Sequence, residues 1–307
     1  MDSGFVKLSE LIYEFSLKPI YIPKKPDAVL ILTHKLNRPG LGLCGCYKNF
    51  DNLRVQVIGN MEISYLKGMS RKIRFQKLFS LCRKNIPAVI VAGGGEVFSE
   101  LIKAAKICCT PILQTREDTF SFMCYLGGFL NAKLGPKTVV HGVFIEVYGE
   151  GVLITGESGV GKSETAMELI KRGHRLVADD AVSLTRVCNK TLIASAPKNI
   201  KHFMEIRGVG IVNVKELYGI KSIKATKKLD IVVHLEQLEN KIKLHDRVFC
   251  KDEYCNILNV KVKKYTVAVK PGRNLAIIIE VAAINNIQKK TGYSACEDLF
   301  SKLGLSW

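Results

Sequence analysis

The stretch Gly156–Ser163 carries residue types that can hold a chain of phosphates. It reads GESGVGKS and matches the pattern G-x-x-x-x-G-K-[ST] at each fixed position. Glycines let successive backbone N–H groups turn toward phosphate oxygens, a lysine reaches the β- and γ-phosphates, and a hydroxyl ligates Mg²⁺. The predicted phosphate-binding residues are Gly156, Glu157, Ser158, Gly159, Val160, Gly161, Lys162 and Ser163.

The sequence around this stretch supports the interpretation. The apolar run Val152–Ile154 is typical of a buried strand, and Glu164–Arg172 consists of good helix formers. Gly173 can then end the helix. A phosphate loop requires a strand, a glycine-rich turn and a helix N-terminus in this order, because the helix dipole adds positive charge at the phosphates. A glycine-rich turn that merely matches the pattern is the alternative.

Two adjacent carboxylates, Asp179 and Asp180, follow a short predicted strand, Leu176–Ala178. Polar groups at the carboxyl end of a strand lie on the edge where α/β proteins bind ligands. One carboxylate could hold Mg²⁺, usually through water, and the other could take a proton from an incoming hydroxyl. Beside a phosphate loop we favour this functional interpretation over a helix cap or a turn cap.

Two further stretches contain groups that suit metals or anions. In Met204–Ile211, Glu205 and Arg207 share one face if the segment is extended, and they could bind metal and phosphate respectively. A surface ion pair is the alternative. Lys270–Arg273 is a basic turn suited to anions. His141 lies near the start of a predicted strand, and the sequence alone gives it no partner.

The order of elements predicts an α/β protein of two domains. Strands and helices alternate through residues 1–133, a domain whose role the sequence leaves open. Gly and Pro in segment 134–138 indicate a linker, and residues 139–307 contain the phosphate loop. In this second domain Val139–Val147 is predicted as one strand. Leu275–Ala283 is strongly apolar and is either a buried strand or a core helix.

Composition restricts the class of protein. The 307 residues carry a net charge of +18, which attracts polyanions or an acidic protein, but a solvated lysine-rich surface is the simpler explanation. No apolar run reaches the roughly 18 residues of a membrane span, and the N-terminus lacks signal-peptide order, so we expect a cytoplasmic protein. The ten cysteines are expected to be free thiols.

The turn Gly93–Gly95 lacks a Lys-Ser ending and is interpreted as an ordinary loop.

Several stretches together resemble one family, the HPr kinase/phosphorylases. They are segment 154–181, with TGESGVGKSETA and RGHRLVADD, segment 204–214, with EIRGVGIVNV, segment 269–283, with KPGRNLAIIIEVAA, and His141–Val143. NRPGL and VIGNMEISYL extend the likeness into the first domain. The resemblance implies an N-terminal α/β domain and a C-terminal P-loop kinase domain that resembles the core of phosphoenolpyruvate carboxykinase.

The resemblance also implies an activity. Members of the family phosphorylate a regulatory serine on HPr, the small phosphocarrier of the bacterial sugar phosphotransferase system, with ATP or pyrophosphate. They remove the phosphate by phosphorolysis, in which inorganic phosphate attacks and pyrophosphate leaves, and they control carbon metabolism. They form hexamers of two stacked trimers. We therefore expect Mg²⁺ as cofactor, HPr and inorganic phosphate as partners, a homohexamer, and binding to neither membrane nor nucleic acid.

The family's catalytic positions carry over to matching residues of this sequence. The resemblance implies that Lys162 binds the donor phosphate, and His141 and Arg247 match further catalytic positions. It also implies that Asp180 accepts the serine proton in phosphorylation and returns it in the reverse reaction. The segment that the resemblance assigns to dephosphorylation comprises Ala268, Val269, Lys270, Pro271, Gly272 and Arg273.

The implied metal ligands are Ser163 and Glu205, and Asp179 is the carboxylate on the metal side. The resemblance also assigns one segment to both directions of the reaction, and it includes Glu205. This segment comprises Met204, Glu205, Ile206, Arg207, Gly208, Val209, Gly210, Ile211, Val212 and Asn213.

Two other functions stay open. One is a small-molecule kinase related to phosphoenolpyruvate carboxykinase, which should have a second metal site of Lys, His and Asp that the sequence does not reveal. The other is a nucleotide-dependent regulator that binds DNA through its basic surface, with binding that falls steeply as salt rises. A protein kinase of the eukaryotic type is excluded, because no H-R-D or D-F-G stretch is present.

Overall fold

The computed structural model describes residues 4–237, 252–270 and 272–304. These residues form two compact units, Met1–Gly135 and Pro136–Trp307. Each unit mixes helices and strands, which confirms the predicted α/β class. The division lies inside the predicted linker 134–138, but the connection is shorter than predicted, because Leu134 is still helical and Lys137 already begins a strand.

The first unit is built from short strands and longer helices. Its strands are β1 (Val6–Lys7), β2 (Lys18–Tyr21), β3 (Leu30–Ile31), β4 (Leu36–Asn37), β5 (Val55–Ile58), β6 (Val89–Val91) and β7 (Ile112–Gln114). Its helices are α1 (Leu8–Glu14), α2 (Gly40–Leu43), α3 (Asn60–Lys67), α4 (Arg71–Cys82), α5 (Ser99–Cys108) and α6 (Thr119–Leu134). Asp118 caps α6 by accepting the backbone N–H of Ser121 at 2.9 Å, which fixes where this helix begins.

A five-stranded sheet in the order β2-β7-β6-β5-β4 forms the centre of the first unit. Strands β4 to β7 are parallel, and β2 adds an antiparallel edge. Side chains alternate between the two faces of a strand, so Val89 and Val91 enter one core while Ile90 enters the other. Helices α4 and α5 bury the first face, and α1 and α6 bury the second.

The turn Gly93–Gly95 follows β6 in this sheet. The N–H of Gly93 donates to the carbonyl of Glu117 at 2.7 Å, and that of Gly94 donates to the carbonyl of Thr115 at 3.1 Å. Since these amides are used within the fold, the turn serves to connect elements, in line with its interpretation as an ordinary loop.

The second unit contains two larger sheets. Its strands are β8 (Lys137–His141), β9 (Val143–Val147), β10 (Glu150–Gly156), β11 (Arg175–Ala178), β12 (Ala181–Cys188), β13 (Thr191–Ser195), β14 (Phe203–Ile206), β15 (Gly210–Asn213), β16 (Thr226–Lys228), β17 (Ile231–Gln237), β18 (Glu253–Ile257) and β19 (Val260–Val269). Its helices are α7 (Lys162–Lys171), α8 (Val214–Tyr218), α9 (Leu275–Lys290) and α10 (Ala295–Lys302).

The six-stranded sheet runs in the order β11-β9-β10-β17-β19-β18, with β10, β17 and β19 parallel. One face packs against α7 and α9 in a core that includes Ile154, Leu169 and Ile279. The four-stranded sheet, β16-β13-β12-β8, shares a second core with the other face. Each fully buried Leu, Ile or Phe in these cores contributes roughly 1.5–3 kcal/mol.

The predicted strand Val139–Val147 is in fact two strands, β8 and β9, that belong to different sheets. The chain breaks at Gly142, where a Cβ would lie 2.4 Å from the carbonyl oxygen of Ile154. A glycine is therefore required at this crossing, because any side chain would collide with the neighbouring backbone. Periodicity could not reveal the break, since Val139–Val147 is apolar on both sides of it.

Two other segments are settled by the structure. Leu275–Ala283 lies in helix α9, so the helical alternative is the right one. Asn274 caps this helix by accepting the backbone N–H of Ile277 at 3.1 Å. Met204–Ile211 is a hairpin of β14 and β15 rather than one extended segment.

A buried carboxylate, Glu146 on β9, joins three cations. Arg175 and Lys224 hydrogen-bond to it, and the Nζ of Lys227 lies 3.5 Å from its Oε2. Burial alone would raise the pKa of Glu146, but the hydrogen bonds from Lys224 and Arg175 outweigh burial and lower it. This cluster ties β11, the edge strand of the larger sheet, and β16 of the smaller sheet to β9.

Two sequence expectations concern the whole chain. Nine cysteines lie among the described residues, and all nine are free, as the sequence predicts. In the part of the chain that the structure describes, no helix is both long enough and apolar enough to cross a membrane.

Candidate active site

The phosphate-loop stretch connects β10 to α7, in the strand–loop–helix order that the sequence predicts. Gly156 ends β10 with φ of 148°, and a Cβ there would lie 2.4 Å from the carbonyl oxygen of Leu235 on β17. Gly161 has φ of 94° and immediately precedes α7. Both positions need glycine, and the first turn of α7 directs unpaired N–H groups at the loop.

Lys162 is buried at the base of this loop. Its Nζ donates hydrogen bonds to the carbonyl oxygens of Gly156 at 2.9 Å and of Glu157 at 2.8 Å. The hydroxyl of Thr165 donates to the carbonyl of Gly161 at 2.7 Å and fixes the first turn of α7. The ammonium charge is therefore held at the loop, where it can form charge-assisted hydrogen bonds to a phosphate.

Asp179, at the end of β11, links the loop to the β14–β15 hairpin. The hydroxyl of Ser163 donates to its Oδ1 at 3.1 Å, and the backbone N–H of Glu205 donates to its Oδ2 at 3.2 Å. Asp179 is 5% exposed, whereas Glu205 is exposed to solvent. The three residues predicted on the metal side are thus neighbours in space.

Burial raises the pKa of Asp179, and its hydrogen bonds from Ser163 and the backbone offset this only in part. A divalent cation at such a carboxylate would favour its ionised form. Hydroxyl and carboxylate oxygens are donors that Mg²⁺ prefers, with water and substrate phosphate completing the shell. Among the residues described, no three His, Cys, Asp or Glu side chains form an all-protein metal cluster. The set Ser163, Asp179 and Glu205 therefore fits a phosphate-associated Mg²⁺.

His141 and Asp180 form a pair that the sequence did not reveal. The Nδ1 of His141 lies 3.0 Å from Oδ1 of Asp180, and both side chains are largely exposed. Pairing of β8 with β12 brings them together, and the N–H of Gly142 donates to the carbonyl of Asp180 at 3.0 Å. Asp180 has φ of 64°, which is uncommon for a residue other than glycine. An exposed carboxylate oriented by an imidazole is a suitable proton acceptor.

Both carboxylates lie where the chain crosses between the two sheets. At Gly142 the chain leaves β8 for β9, and at Asp179–Asp180 it leaves β11 for β12. The crossings are adjacent because β8 pairs with β12 while β9 pairs with β11. No local sequence signal could have joined His141 to Asp180, because their contact depends on this pairing of distant strands.

The turn of the β14–β15 hairpin places Arg207 against the phosphate loop. A Cβ built on Gly159 would lie 2.8 Å from both Nη1 and Nη2 of Arg207. The condition under which Glu205 and Arg207 would share one face, an extended segment, is not met, because β14 ends at Ile206 and Arg207 lies in the turn. The hairpin instead brings the backbone N–H of Glu205 to Asp179 and the guanidinium of Arg207 beside Gly159 of the loop.

The end of β19 lies on the same edge as the phosphate loop, since β10, β17 and β19 are parallel. Here Nη1 of Arg273 donates to the carbonyl of Ala268 at 3.1 Å. The side chain of Asn274 donates to Oε1 of Glu168 on α7 at 2.9 Å, which ties this turn to the helix behind the loop. Lys270 is exposed. The predicted dephosphorylation segment is thus at the ligand-binding edge of the sheet.

Two of the predicted site residues, Arg247 and Pro271, lie outside the described residues. Of the others, the predicted phosphate-binding residues lie around Lys162, the predicted metal-side residues lie around Asp179, His141 contacts Asp180, and the segment from Ala268 to Arg273 lies at the end of β19. Together these groups can bind a phosphate chain and accept a proton from a hydroxyl that attacks it.

Comparison with known proteins covers most of the chain. Residues 6–130 match the family model described as HPr Serine kinase N terminus, and residues 132–303 match HPr Serine kinase C-terminal domain. The boundary between the two matches falls close to the division between the two units of the structure.

Similar proteins carry a consistent name. An HPr kinase/phosphorylase of Caldicellulosiruptor bescii is 48% identical over 97% of this chain and 96% of its own length. One of Listeria innocua is 46% identical over 89% of this chain and 87% of its own. A solved structure, that of the Hpr(Ser) kinase/phosphatase from Coxiella burnetii, is 33% identical over 53% of this chain and 98% of its own, with a TM-score of 0.48.

Proposed function

The chain belongs to the HPr serine kinase family, and from this membership we propose that it phosphorylates a regulatory serine of HPr with ATP or pyrophosphate and reverses the reaction by phosphorolysis. The observation that carries the proposal is the convergence at the two chain crossings. Asp180 adjoins Asp179, and Asp179 accepts a hydrogen bond from Ser163 of the phosphate loop. A proton acceptor and a phosphate-binding loop therefore lie side by side, as transfer to a hydroxyl requires.

In the forward direction, the phosphate loop holds the donor and Lys162 stabilises charge on its terminal phosphates. The serine oxygen attacks the phosphorus, the bond from phosphorus to the leaving phosphate oxygen breaks, and the serine proton passes to Asp180. His141 orients the Asp180 carboxylate through the 3.0 Å contact. The products are phosphoserine and ADP when ATP is the donor, and phosphoserine and inorganic phosphate when pyrophosphate is the donor.

In reverse, inorganic phosphate occupies the loop and its oxygen attacks the phosphoserine phosphorus. The phosphorus–serine bond breaks, pyrophosphate forms, and Asp180 returns a proton to the serine oxygen, as microscopic reversibility requires. The basic groups Lys270 and Arg273, at the carboxyl end of β19, suit the recruitment of this extra anion.

Mg²⁺ is the proposed cofactor, held by Ser163 and Glu205 with Asp179 beside them. When bound, it would neutralise charge on the phosphate oxygens. The hydroxyl and carboxylate donors around Asp179 support this choice, because they are oxygen ligands with room for water and phosphate. Dissociation of pyrophosphate from the loop is expected to quicken when the metal is removed.

The remaining proposals follow family membership. We infer that the protein acts in the cytoplasm in the control of carbon metabolism, that its core resembles that of phosphoenolpyruvate carboxykinase, and that it assembles as a homohexamer. A small-molecule kinase or a DNA-binding regulator has less support, because nothing among the described residues of the site favours a second metal centre or a nucleic-acid interface.

The test is intact-mass spectrometry of HPr incubated with the protein, Mg²⁺ and ATP, followed by excess inorganic phosphate. We expect HPr to gain one phosphoryl group on a serine and to lose it, with release of pyrophosphate, when phosphate is added. An HPr variant with alanine in place of that serine is the control. Unchanged HPr in the presence of continuing ATP hydrolysis would disprove the substrate assignment.

A further inference from the structure

A hydrogen-bonded network joins helix α7 to the start of helix α9. Oε1 of Glu168 on α7 accepts hydrogen bonds from Nδ2 of Asn274 at 2.9 Å and from Nη2 of Arg172 at 2.6 Å. Nη1 of Arg172 donates to Oε2 of Glu280 on α9 at 2.8 Å, and Oε1 of Glu280 lies 3.0 Å from Nε2 of His174. We call these five residues the α7–α9 network, and none of them belongs to a segment that the family resemblance assigns to the reaction.

The network is fixed at its buried end. The side chains of His174 and Glu280 are 7% and 12% exposed, and the ring of Tyr148 packs edge-on against His174 with 4.7 Å between the ring centroids. Exposure rises toward Asn274, because the side chain of Glu168 is 42% exposed. Hydrogen bonds, above all the one from Asn274, lower the pKa of Glu168, which is therefore an ionised acceptor at neutral pH.

Asn274 joins the network to the basic turn, Lys270–Arg273. Its Oδ1 caps α9, while its Nδ2 donates to Glu168. Because one side of the amide faces a donor and the other faces an acceptor, only one orientation of Asn274 satisfies both. Arg273, the residue before it, donates from Nη1 to the carbonyl of Ala268 at 3.1 Å. The turn is thus closed on itself at Arg273, and the next residue ties it to α7.

Stability gives little reason for the contact between Asn274 and Glu168. A contact exposed to solvent contributes little to the free energy of unfolding, because water can replace either partner. Asn274 would also cap α9 without this contact. The contact does restrict geometry, since α7 begins at the phosphate loop and Asn274 follows the basic turn. It therefore fixes where Lys270 and Arg273 lie relative to that loop.

Inorganic phosphate depends on such positioning more than ATP does. It has no base or ribose to be recognised, so only charges and hydrogen bonds can hold it. Beside phosphoserine it also meets a second anion, and cations at fixed positions must offset the repulsion. We propose that Glu168 and Asn274 are positioning residues, which hold the basic turn against α7 for the binding of inorganic phosphate in phosphorolysis. This inference rests on the proposed function.

The first experiment uses Asn274→Asp. Aspartate caps a helix as well as asparagine does, so α9 should keep its cap. A carboxylate oxygen takes the place of the Nδ2 donor and is repelled by the carboxylate of Glu168. In the double variant with Glu168→Gln, the new glutamine can donate to the new aspartate, which restores the hydrogen bond with donor and acceptor exchanged. Asp118→Asn, an exchange of the same two side chains at the cap of α6 in the first unit, is the matched control.

We measure KM for inorganic phosphate and kcat in phosphorolysis, and the same constants for transfer from ATP. Asn274→Asp is expected to lower kcat/KM for phosphorolysis at least about tenfold, mostly through KM, because slight misplacement of a binding group can cost about 10²-fold. Transfer from ATP should stay within about threefold of wild type, and the double variant should return phosphorolysis to within about threefold. Transfer from pyrophosphate, the direct reverse of phosphorolysis, should fall together with it, since the equilibrium constant is unchanged.

Two single substitutions of Glu168 test the contact and leave the cap of α9 in place. Glu168→Ala removes the acceptor, so it should impair phosphorolysis as selectively as Asn274→Asp does. Glu168→Gln keeps an oxygen that can accept from Nδ2 of Asn274, and it should retain at least about half of the wild-type kcat/KM. Glu96→Ala, which removes an exposed glutamate from the first unit, is the control.

Each outcome supports or overturns the proposal. Equal losses with inorganic phosphate and with ATP would overturn it, because a general defect of the fold acts on both reactions. Unimpaired phosphorolysis in Asn274→Asp and Glu168→Ala would do the same, as would a selective loss that the double variant does not repair. If wild type does not modify HPr, the proposed function fails. If wild type catalyses both reactions and the variants match it, the positioning role alone is wrong.

Discussion

Replacement of Asp180 by asparagine should abolish transfer while leaving the fold intact. The residue has φ of 64°, a left-handed conformation that costs an ordinary L-residue roughly 1–2 kcal/mol. Asparagine tolerates this conformation as well as aspartate does, so the backbone cost is unchanged. The variant loses only an ion pair whose two side chains are 57% and 75% exposed, and such pairs contribute about 0–1 kcal/mol.

The free energy of unfolding of Asp180→Asn should therefore stay within about 1 kcal/mol of wild type. The rate should fall much further, because a positioned general base contributes about 10²–10⁴. Asp180→Gly tests the same reasoning differently. It relieves the strained backbone but loosens the unfolded chain by about 0.4–1 kcal/mol, so its stability should also stay close to wild type.

The assay is paired. Urea unfolding followed by circular dichroism gives stability, and mass spectrometry of HPr gives the rates of phosphorylation and phosphorolysis. Glu117→Gln, which changes an exposed carboxylate in the first unit, is the control for loss of a charge. Either an asparagine variant with more than about a tenth of the wild-type rate, or a loss in one direction only, would refute the role of Asp180 as the shared proton carrier.

Three further predictions concern the rest of the molecule. Glu146→Gln should lower the free energy of unfolding by about 2 kcal/mol at pH 7, since its three cationic partners lose a buried carboxylate. Because those partners hold the pKa of Glu146 below its ordinary value of 4.5, the deficit should be complete above that pH and disappear as pH falls through the lowered pKa. At pH 8, Cys82 should resist iodoacetamide in the folded protein, because burial raises its pKa to about 12, whereas the exposed Cys188, whose pKa hydrogen bonding lowers, should react first. Gly142→Ala should cost about 2 kcal/mol or more in thermal unfolding, because the new methyl group meets backbone.

Each of these predictions has an outcome that would contradict it. If the urea unfolding curve of Glu146→Gln matched that of wild type at pH 7, the carboxylate of Glu146 would not stabilise the fold through its three cationic partners. Peptide mapping that finds Cys82 alkylated as fast as Cys188 would contradict the pKa ordering. Gly128→Ala is the control for Gly142→Ala, because Gly128 lies in α6 with open space around it and alanine there should stabilise by about 0.5–1 kcal/mol. Equal melting points for the two alanine variants would refute the steric argument.

Local patterns in the sequence predicted local structure well. The glycines and Lys162 specified a loop between a strand and a helix, and the helix formers predicted at Glu164–Arg172 lie in α7 up to its last residue, Lys171. Turn residues, helix formers and caps act over a few neighbours, so they can be interpreted without knowledge of the fold.

Contacts between distant strands were beyond the sequence. Nothing around His141 indicates Asp180, because the pair exists only through the pairing of β8 with β12. The hairpin that brings the backbone of Glu205 to Asp179 and the side chain of Arg207 beside Gly159 depends on the turn at Gly208, whose φ is 81°. The apolar content of Leu275–Ala283 suited a strand and a helix equally, and packing on the larger sheet decided for the helix.

The two chain crossings, at Gly142 and Asp180, place the site at the boundary between the two sheets of the second unit. The proton-handling pair belongs to the border of the smaller sheet, whereas the phosphate loop extends from the larger one. Side chains such as Phe144 and Val182, fully buried where the sheets meet, set the spacing between these two halves of the chemistry. Substitutions there would shift one sheet slightly relative to the other and so lower the reaction rate, without altering any residue that touches a substrate. Selection for activity should therefore reach well into this shared interior.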